Sequence, residues 1–286
     1  MKTNNAFFSI AGVALAAGLL LSGCASQPPA AAVEKMYVYN CGGIDVGDIS
    51  LFTGQPEDKG KSKTFTVSCY LIEHKNGTLL WDTGLPDALA QLPGGTTMGP
   101  FKLSVQKPLL TQLKETGYTP DNIRFLGFSH MHGDHSGNGN PFTKSTVLMQ
   151  TEEYDAAFGP EPQKYRFNPD YYSALKNNKV MKLTGDYDVF GDGSVVIKRA
   201  VGHTPGHQAL YVNLPKSGPV VLSGDVAHFH DNWEHRRVPV LNFDKAASLA
   251  SMDAIDKFLK QTGATLLIQH DAEQNAKIPH APTPYL

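Results

Sequence analysis

Residues 65–73 (FTVSCYLIE) alternate between apolar and polar positions and are rich in β-formers, which predicts a strand. Lys75-Asn76-Gly77 is a turn signal, and residues 78–81 read as the returning strand of a hairpin. Leucines at 109, 110 and 113 have helical spacing within residues 105–116, with Pro108 suited to the first turn and Gly117 to the stop. Residues 123–128 form a short apolar run that predicts a strand. Another is expected at 146–149, with a short helix at 152–158. Further strands are expected at 195–200, 208–213 and 219–222. Apolar positions at 249, 252, 255, 258 and 259 predict a helix over about 244–261, and a last strand at 265–268 leads to His270. Strands and helices thus come in two similar runs, each of hairpins followed by a helix and a strand. That order predicts an α/β fold of two packed sheets with helices outside. Residues 159–192 are polar, tyrosine-rich and irregular, and read as an insertion that lids a site.

The 286 residues leave room for one large domain or two small ones. With 41% hydrophobic and 18% charged residues, the composition excludes a disordered chain. The net charge of −2 comes with no basic stripe, which argues against a nucleic-acid partner. Arg236-Arg237 is an isolated basic pair.

The N-terminus changes the picture more. Lys2 precedes an uncharged run at residues 6–21, shorter than the roughly 20 residues of a spanning helix and suited to a secretory signal. The run ends in Leu21-Ser22-Gly23-Cys24, which resembles the lipobox of bacterial lipoproteins, where the signal is cut before the cysteine and the thiol carries a lipid. Residues 25–34 are Pro/Ala-rich and read as a tether. The expected organisation is therefore a signal at 1–23, lipidated Cys24 and tether at 24–35, and one folded domain at 36–286. Ala25, rather than Asp, after the cysteine points to the periplasmic side of the outer membrane. In that oxidising compartment Cys41 and Cys69 are candidates for a bridge; Cys69 equally suits a small buried apolar residue.

The densest chemistry is His130-Met131-His132-Gly133-Asp134-His135. Four potential ligands follow a predicted strand within six residues, and imidazole with carboxylate is a ligand set for divalent ions, zinc first, with iron, manganese or cobalt also suited. One ion could not easily use all four, whereas two ions about 3.5–4 Å apart could.

These residues resemble the metallo-β-lactamase superfamily, and the resemblance extends over the mature chain. Asp82-Thr83-Gly84, Gly202-His203-Thr204-Pro205-Gly206-His207, Gly224-Asp225 and His270 recur in the order the family shows. The resemblance implies an αββα sandwich of two mixed β-sheets flanked by helices, with two divalent ions at one edge. It assigns His130, His132 and His203 to one ion and Asp134, His135 and His270 to the other, with Asp225 and a hydroxide between them. Asp134 is then placed to pass a proton to the leaving group. Asp82 is expected to orient a ligand histidine, and His207 to brace the glycine-rich loop. His74, His230, His235 and His280 carry no motif and are expected to make surface or local contacts.

Asp225 narrows the resemblance. β-Lactamases of the superfamily lack it; lactonases, glyoxalase II enzymes and several phosphodiesterases carry it. Residues 80–86, 206–210 and 269–274 look like the corresponding segments of N-acyl homoserine lactone lactonases. The implied substrate is therefore a small lactone, opened by hydrolysis. Those lactonases carry a tyrosine three residues after the bridging aspartate; here His228 stands there. His228 could stabilise the oxyanion, mark another substrate, or add a metal ligand. Phe229, Trp233 and Phe243 are candidates for an apolar acyl pocket or for core. The alternatives are hydrolysis of aryl esters, phosphodiesters or β-lactams, and a metal-binding lipoprotein without turnover. The intact ligand set weighs against the last.

Overall fold

The computed structural model describes residues 1–3 and 32–286. The expected lipobox, most of the signal and most of the tether lie outside the described residues. Strand structure is present earlier than the expected domain start at residue 36. Strand β1 (Val33–Val46) begins inside the stretch read as tether, and Val33 and Met36 are fully buried.

The first sheet has eight strands in the order β4-β5-β1-β2-β3-β6-β7-β8, where β2 is Lys63–His74, β3 Gly77–Trp81, β4 Thr96–Met98, β5 Phe101–Ser104, β6 Phe125–Gly127, β7 Thr146–Gln150 and β8 Val180–Leu183. The second has five, β13-β12-β11-β10-β9, where β9 is Tyr187–Asp188, β10 Val195–Arg199, β11 Gln208–Leu214, β12 Gly218–Leu222 and β13 Thr265–Leu267. Both are mixed: β3, β6, β7 and β8 run parallel, as do β12 and β13, and the other pairs are antiparallel.

Three apolar clusters build the αββα layers. Between the sheets, Val38, Ile72, Leu79 and Trp81 pack with Ile197, Leu210, Val212 and Leu222. Outside the first sheet, Leu71, Leu80 and Met149 take up Leu109 and Leu113 of helix α2 (Leu109–Glu115) and Ala156 and Ala157 of α4 (Thr151–Phe158). Outside the second, Ala209 and Val221 pack with Met252 and Ile255 of α6 (Lys245–Thr262). The remaining helices are single turns: α1 Ser50–Thr53, α3 Gly133–Ser136, α5 His230–Glu234 and α7 Ala272–Asn275.

Helix α2 starts at Leu109 rather than in the expected first turn at 105. Pro108 is extended, and the carboxylate of Asp87 accepts from the backbone N–H of Leu109 and Leu110 at 2.7 and 3.1 Å, capping the helix from a distant loop. Helix α6 follows expectation, with the Asp244 side chain accepting from Ala247 N and Gly263 left-handed at its end. Only part of the 159–192 insertion reaches the site, Arg166, Asn168 and Tyr171 lining a cavity there. Residues 162–177 form three short 3-10 turns, whereas β8 and β9 extend the edges of the two sheets.

Cys41 and Cys69 are bridged, with Cα atoms 5.9 Å apart. Cys41 is the extra residue at the register shift between Asn40 and Gly42, which bulges β1 against β2. The bridge closes a separation of 28 residues, so replacing both cysteines by alanine should cost about 3.5 kcal/mol. Urea unfolding of the double variant, compared with the oxidised parent, checks this; a loss under about 1 kcal/mol would show that the bridge does little for the folded chain.

Candidate metal centre

The site lies where strand ends converge. β3 and β6 are parallel, so the segment at 82–84 and the segment at 128–135 leave the same edge of the first sheet. β12 and β13 are parallel in the second sheet and deliver Asp225 and His270 from their C-terminal ends. β11 is antiparallel to β12, so residues 202–207 arrive at that edge before it starts. His132 is extended (φ −64°, ψ 156°), and α3 begins directly after it. That switch sends His130 and His132 one way and Asp134 and His135 another.

Two clusters result: His130, His132, His203 and Asp225, and beside it Asp134, His135 and His270. His132 Nδ1 lies 2.9 Å from His130 Nε2 and 3.0 Å from His203 Nε2. His135 Nε2 lies 3.2 Å from His270 Nε2, and both are within 3.6 Å of Asp134 Oδ2. Asp225 faces both clusters. Its Oδ2 is 3.2 Å from His203 Nε2 and 3.7 Å from His130 Nε2. Its Oδ1 is 3.1 Å from His270 Nε2 and 3.4 Å from His135 Nε2.

The other ring nitrogens settle what this arrangement suits. His135 Nδ1 lies 2.9 Å from Asp82 Oδ2, His270 Nδ1 2.6 Å from the Thr66 carbonyl and His132 Nε2 3.1 Å from the Tyr165 carbonyl. His203 Nδ1 lies 2.8 Å from Asn242 Oδ1, and His130 Nδ1 3.1 Å from the Ser129 hydroxyl. With those N–H groups donating outward, the inward nitrogens present lone pairs to one another. A cation between them makes that favourable. Asp225 Oδ1 is buried without a hydrogen-bond partner, the nearby imidazoles being out of alignment for donation. Orphaned acceptors of this kind fit a shared divalent ion.

The electrostatics divide the two clusters: burial works to lower His135 and His270, but the carboxylates of Asp225 and Asp134 outweigh it and raise both above the usual histidine range. Burial, reinforced by neighbouring imidazoles, holds His130 and His132 well below the usual histidine range, in the neutral form that ligates. Burial works to raise the Asp225 carboxyl, but the imidazoles of His228, His270, His135 and His203 hold it well below the carboxylate range.

Asp82 takes the orienting place expected of it. Besides His135, it accepts from Ser129 N at 2.6 Å, Ser129 Oγ at 2.9 Å and Gln269 Nε2 at 2.9 Å, and it is held at φ +60°. His207 braces Asp225 as well as its own loop: its Nδ1 donates to the Ala200 carbonyl and its Nε2 accepts from Asp225 N at 2.8 Å. Burial pushes it down to about 3, which keeps Nε2 an acceptor. His228 Nε2 stands 3.0 Å from Asp225 Oδ2 while its Nδ1 is buried without a partner. His74 pairs with Asp192, His280 bonds the Asn275 carbonyl, and His230 and His235 are exposed.

A cavity of about 330 Å³ opens on both clusters. Ile44, Phe52, Phe65, Leu85, Phe101 and Leu103 give it an apolar wall, and Asp134, Asp225, His228 and His270 lie at its base. The aromatics expected to line it do not. Phe229 is buried in the core, Trp233 packs near α6 under Arg236, and Phe243 is 58% exposed against Tyr165. The lining comes instead from β1, α1, β2 and the β4–β5 hairpin, three of which the pattern of apolar positions does not reveal. Asn242 and the carbonyls of Thr66 and Tyr165 are missing from the motif reading because they act through distant pairings that leave no local signal, and Ser129 and Gln269, each next to a ligand, are given no role there.

A profile of the Metallo-beta-lactamase superfamily matches residues 63–270. The N-acyl homoserine lactonase of Bacillus thuringiensis is 32% identical over 221 residues, 75% of this chain and 85% of that protein. N-acyl homoserine lactonase AttM of Rhizobium radiobacter is 29% identical over 238 residues, covering 80% and 90%. A solved N-acyl homoserine lactone hydrolase, with the product N-hexanoyl-L-homoserine at its catalytic metal centre, superposes with TM-score 0.76 at 28% identity, covering 89% of this chain and 100% of that one. The dizinc quorum-quenching lactonase AidC shares the fold at 16% identity and TM-score 0.62, over 83% and 87%.

Proposed function

The chain belongs to the metallo-beta-lactamase superfamily and is a metal-dependent hydrolase, and on that premise we propose that it opens the lactone ring of N-acyl homoserine lactones at two divalent ions, zinc first. One observation carries this reading: a single cavity joins an apolar wall, suited to an acyl chain, to both ligand clusters. Its support is the activity of the relatives.

When bound, such ions supply carbonyl polarisation and a water acidic enough to attack near neutral pH. His130, His132, His203 and Asp225 Oδ2 would hold one; Asp134, His135, His270 and Asp225 Oδ1 the other. Asp134, at 21% side-chain exposure and on the cavity base, can receive and return a proton where a leaving alkoxide would sit. His228 shares the base with its Nε2 3.0 Å from Asp225 Oδ2, so Nε2 is the nitrogen that faces the centre and could donate to a substrate oxygen there. His228→Ala should therefore lower kcat about 10- to 100-fold with KM little changed; a change in KM alone would remove it from the reaction. Arg236 and Arg237 are turned to Asp253 and Asp256 and to Asp231, away from the cavity lining, whereas Arg166 lines the cavity and is the cation a phosphodiester reading would use.

The test follows proton release by the metal-loaded protein with a long-chain N-acyl homoserine lactone. A γ-lactone, phenyl acetate, a bis-nitrophenyl phosphate and a cephalosporin run in parallel. Fast acid production from the homoserine lactone supports the reading; silence there with turnover of another compound moves the substrate to that class. We place the protein on the periplasmic side of the outer membrane through a lipid on Cys24, from the lipobox-like sequence before it. Cys24→Ser should shift it to the soluble fraction, and unchanged membrane fractionation would remove the anchor.

A further inference from the structure

Glu153 sits on α4, outside every motif read in the sequence, and is 1% exposed. Its Oε1 accepts from the backbone N–H of Met131, the residue between His130 and His132, at 2.8 Å. Its Oε2 accepts from the Thr204 hydroxyl and from Gly206 N, both at 2.8 Å, in the loop that carries His203. A Cβ on Gly206 would stand 2.4 Å from Glu153 N, so this loop lies directly on the helix. One buried carboxylate thus ties together two loops some 70 residues apart in sequence, through three donors and no cation. A buried carboxylate answered only by hydrogen bonds is a costly way to fill space. Its burial lifts the carboxyl to about 7 against the pull of those bonds.

We propose that Glu153 is a positioning residue that fixes the spacing of His130 and His132 against His203, and so sets the affinity of that cluster for its ion. This rests on the reading of that cluster as a metal site, and is independent of the substrate. All three partners donate, so both oxygens must accept. Glu153→Gln keeps the shape but turns an amide NH₂ toward an N–H or O–H.

The experiment uses the full-length protein stripped of metal and titrated with cobalt(II), following the visible d–d bands, alongside melting of the metal-free form. For Glu153→Gln, the cobalt dissociation constant should rise about 10- to 100-fold and the bands should shift. Thr204→Val, which removes one of the three bonds and leaves the carboxylate, should raise it by a smaller factor, and serves alone should Glu153→Gln fail to fold. Affinity and bands like the parent in whichever variant folds, whatever the melting temperature, would overturn the positioning role. A parent that binds no cobalt would overturn the metal reading together with it.

Discussion

Replacing Asp225 by asparagine lowers kcat/KM on the order of 10³-fold, about 4 kcal/mol of transition-state stabilisation, while the chain stays folded. The size follows from position. Asp225 alone presents one carboxylate oxygen to each cluster, Oδ2 toward His203 and His130, Oδ1 toward His270 and His135. Asparagine replaces one of those oxygens with a donor that cannot ligate, and removes the negative charge that faces both clusters. His130, His132 and His203 remain as three ligands for one ion. Asp134, His135 and His270 lose their shared carboxylate, so metal content should fall from two ions toward one. Elemental analysis, circular dichroism and turnover on the same preparation check this. Two tightly held ions with near-parental activity would sink the shared-ligand arrangement.

Removing the metal should cost nearly as much in stability as that substitution costs in rate. An ion that binds only the folded chain, at free concentrations near 1,000 times its dissociation constant, adds about 4 kcal/mol. For a domain of this size that corresponds to roughly 8–16 °C in melting temperature. The structure says why the ion-free site is poor: five imidazoles, four of them buried, bring their inward nitrogens about 3 Å apart in pairs such as His130–His132. Asp225 Oδ1 has no donor to replace the ion. Calorimetry before and after chelation, then after zinc is restored, measures the effect. A shift of less than about 2 °C with complete removal and full return of activity would mean that the ligand set is held open by the scaffold alone.

Much of this centre is legible in the chain because its ligands cluster in short segments after strands, and ligand chemistry is a property of residue type. Asp82 could be given its orienting role on the same grounds. What supports the ligands is less legible. Thr66, Asn242 and Glu153 act across the fold, and nothing near them in sequence marks the partner. β1 escapes the periodicity argument because residues 36–39 are buried on both faces, which erases alternation, and Asn40-Cys41-Gly42-Gly43 then breaks the run with a bulge. The β4–β5 hairpin escapes for the opposite reason: its strands are short and mostly exposed. Those two elements make up much of the cavity wall, so the residues that line it stay hidden in the sequence although the metal ligands can be named.

The Cys41–Cys69 bridge has a practical consequence for anyone producing the enzyme. Gly84 lies against it, with room for no Cβ: one there would stand 2.2 Å from Cys41 Cβ. Leu85 N donates to the Cys41 carbonyl, and Thr83 N to the His135 carbonyl. The bridged pair therefore underlies the loop that carries Asp82 to His135. Expression in a reducing cytoplasm, or a thiol added to protect a metalloprotein during purification, favours the dithiol form, in which the covalent link beneath the ligand loop is broken. Comparisons of activity between expression hosts or assay buffers should be made only after the thiols have been counted.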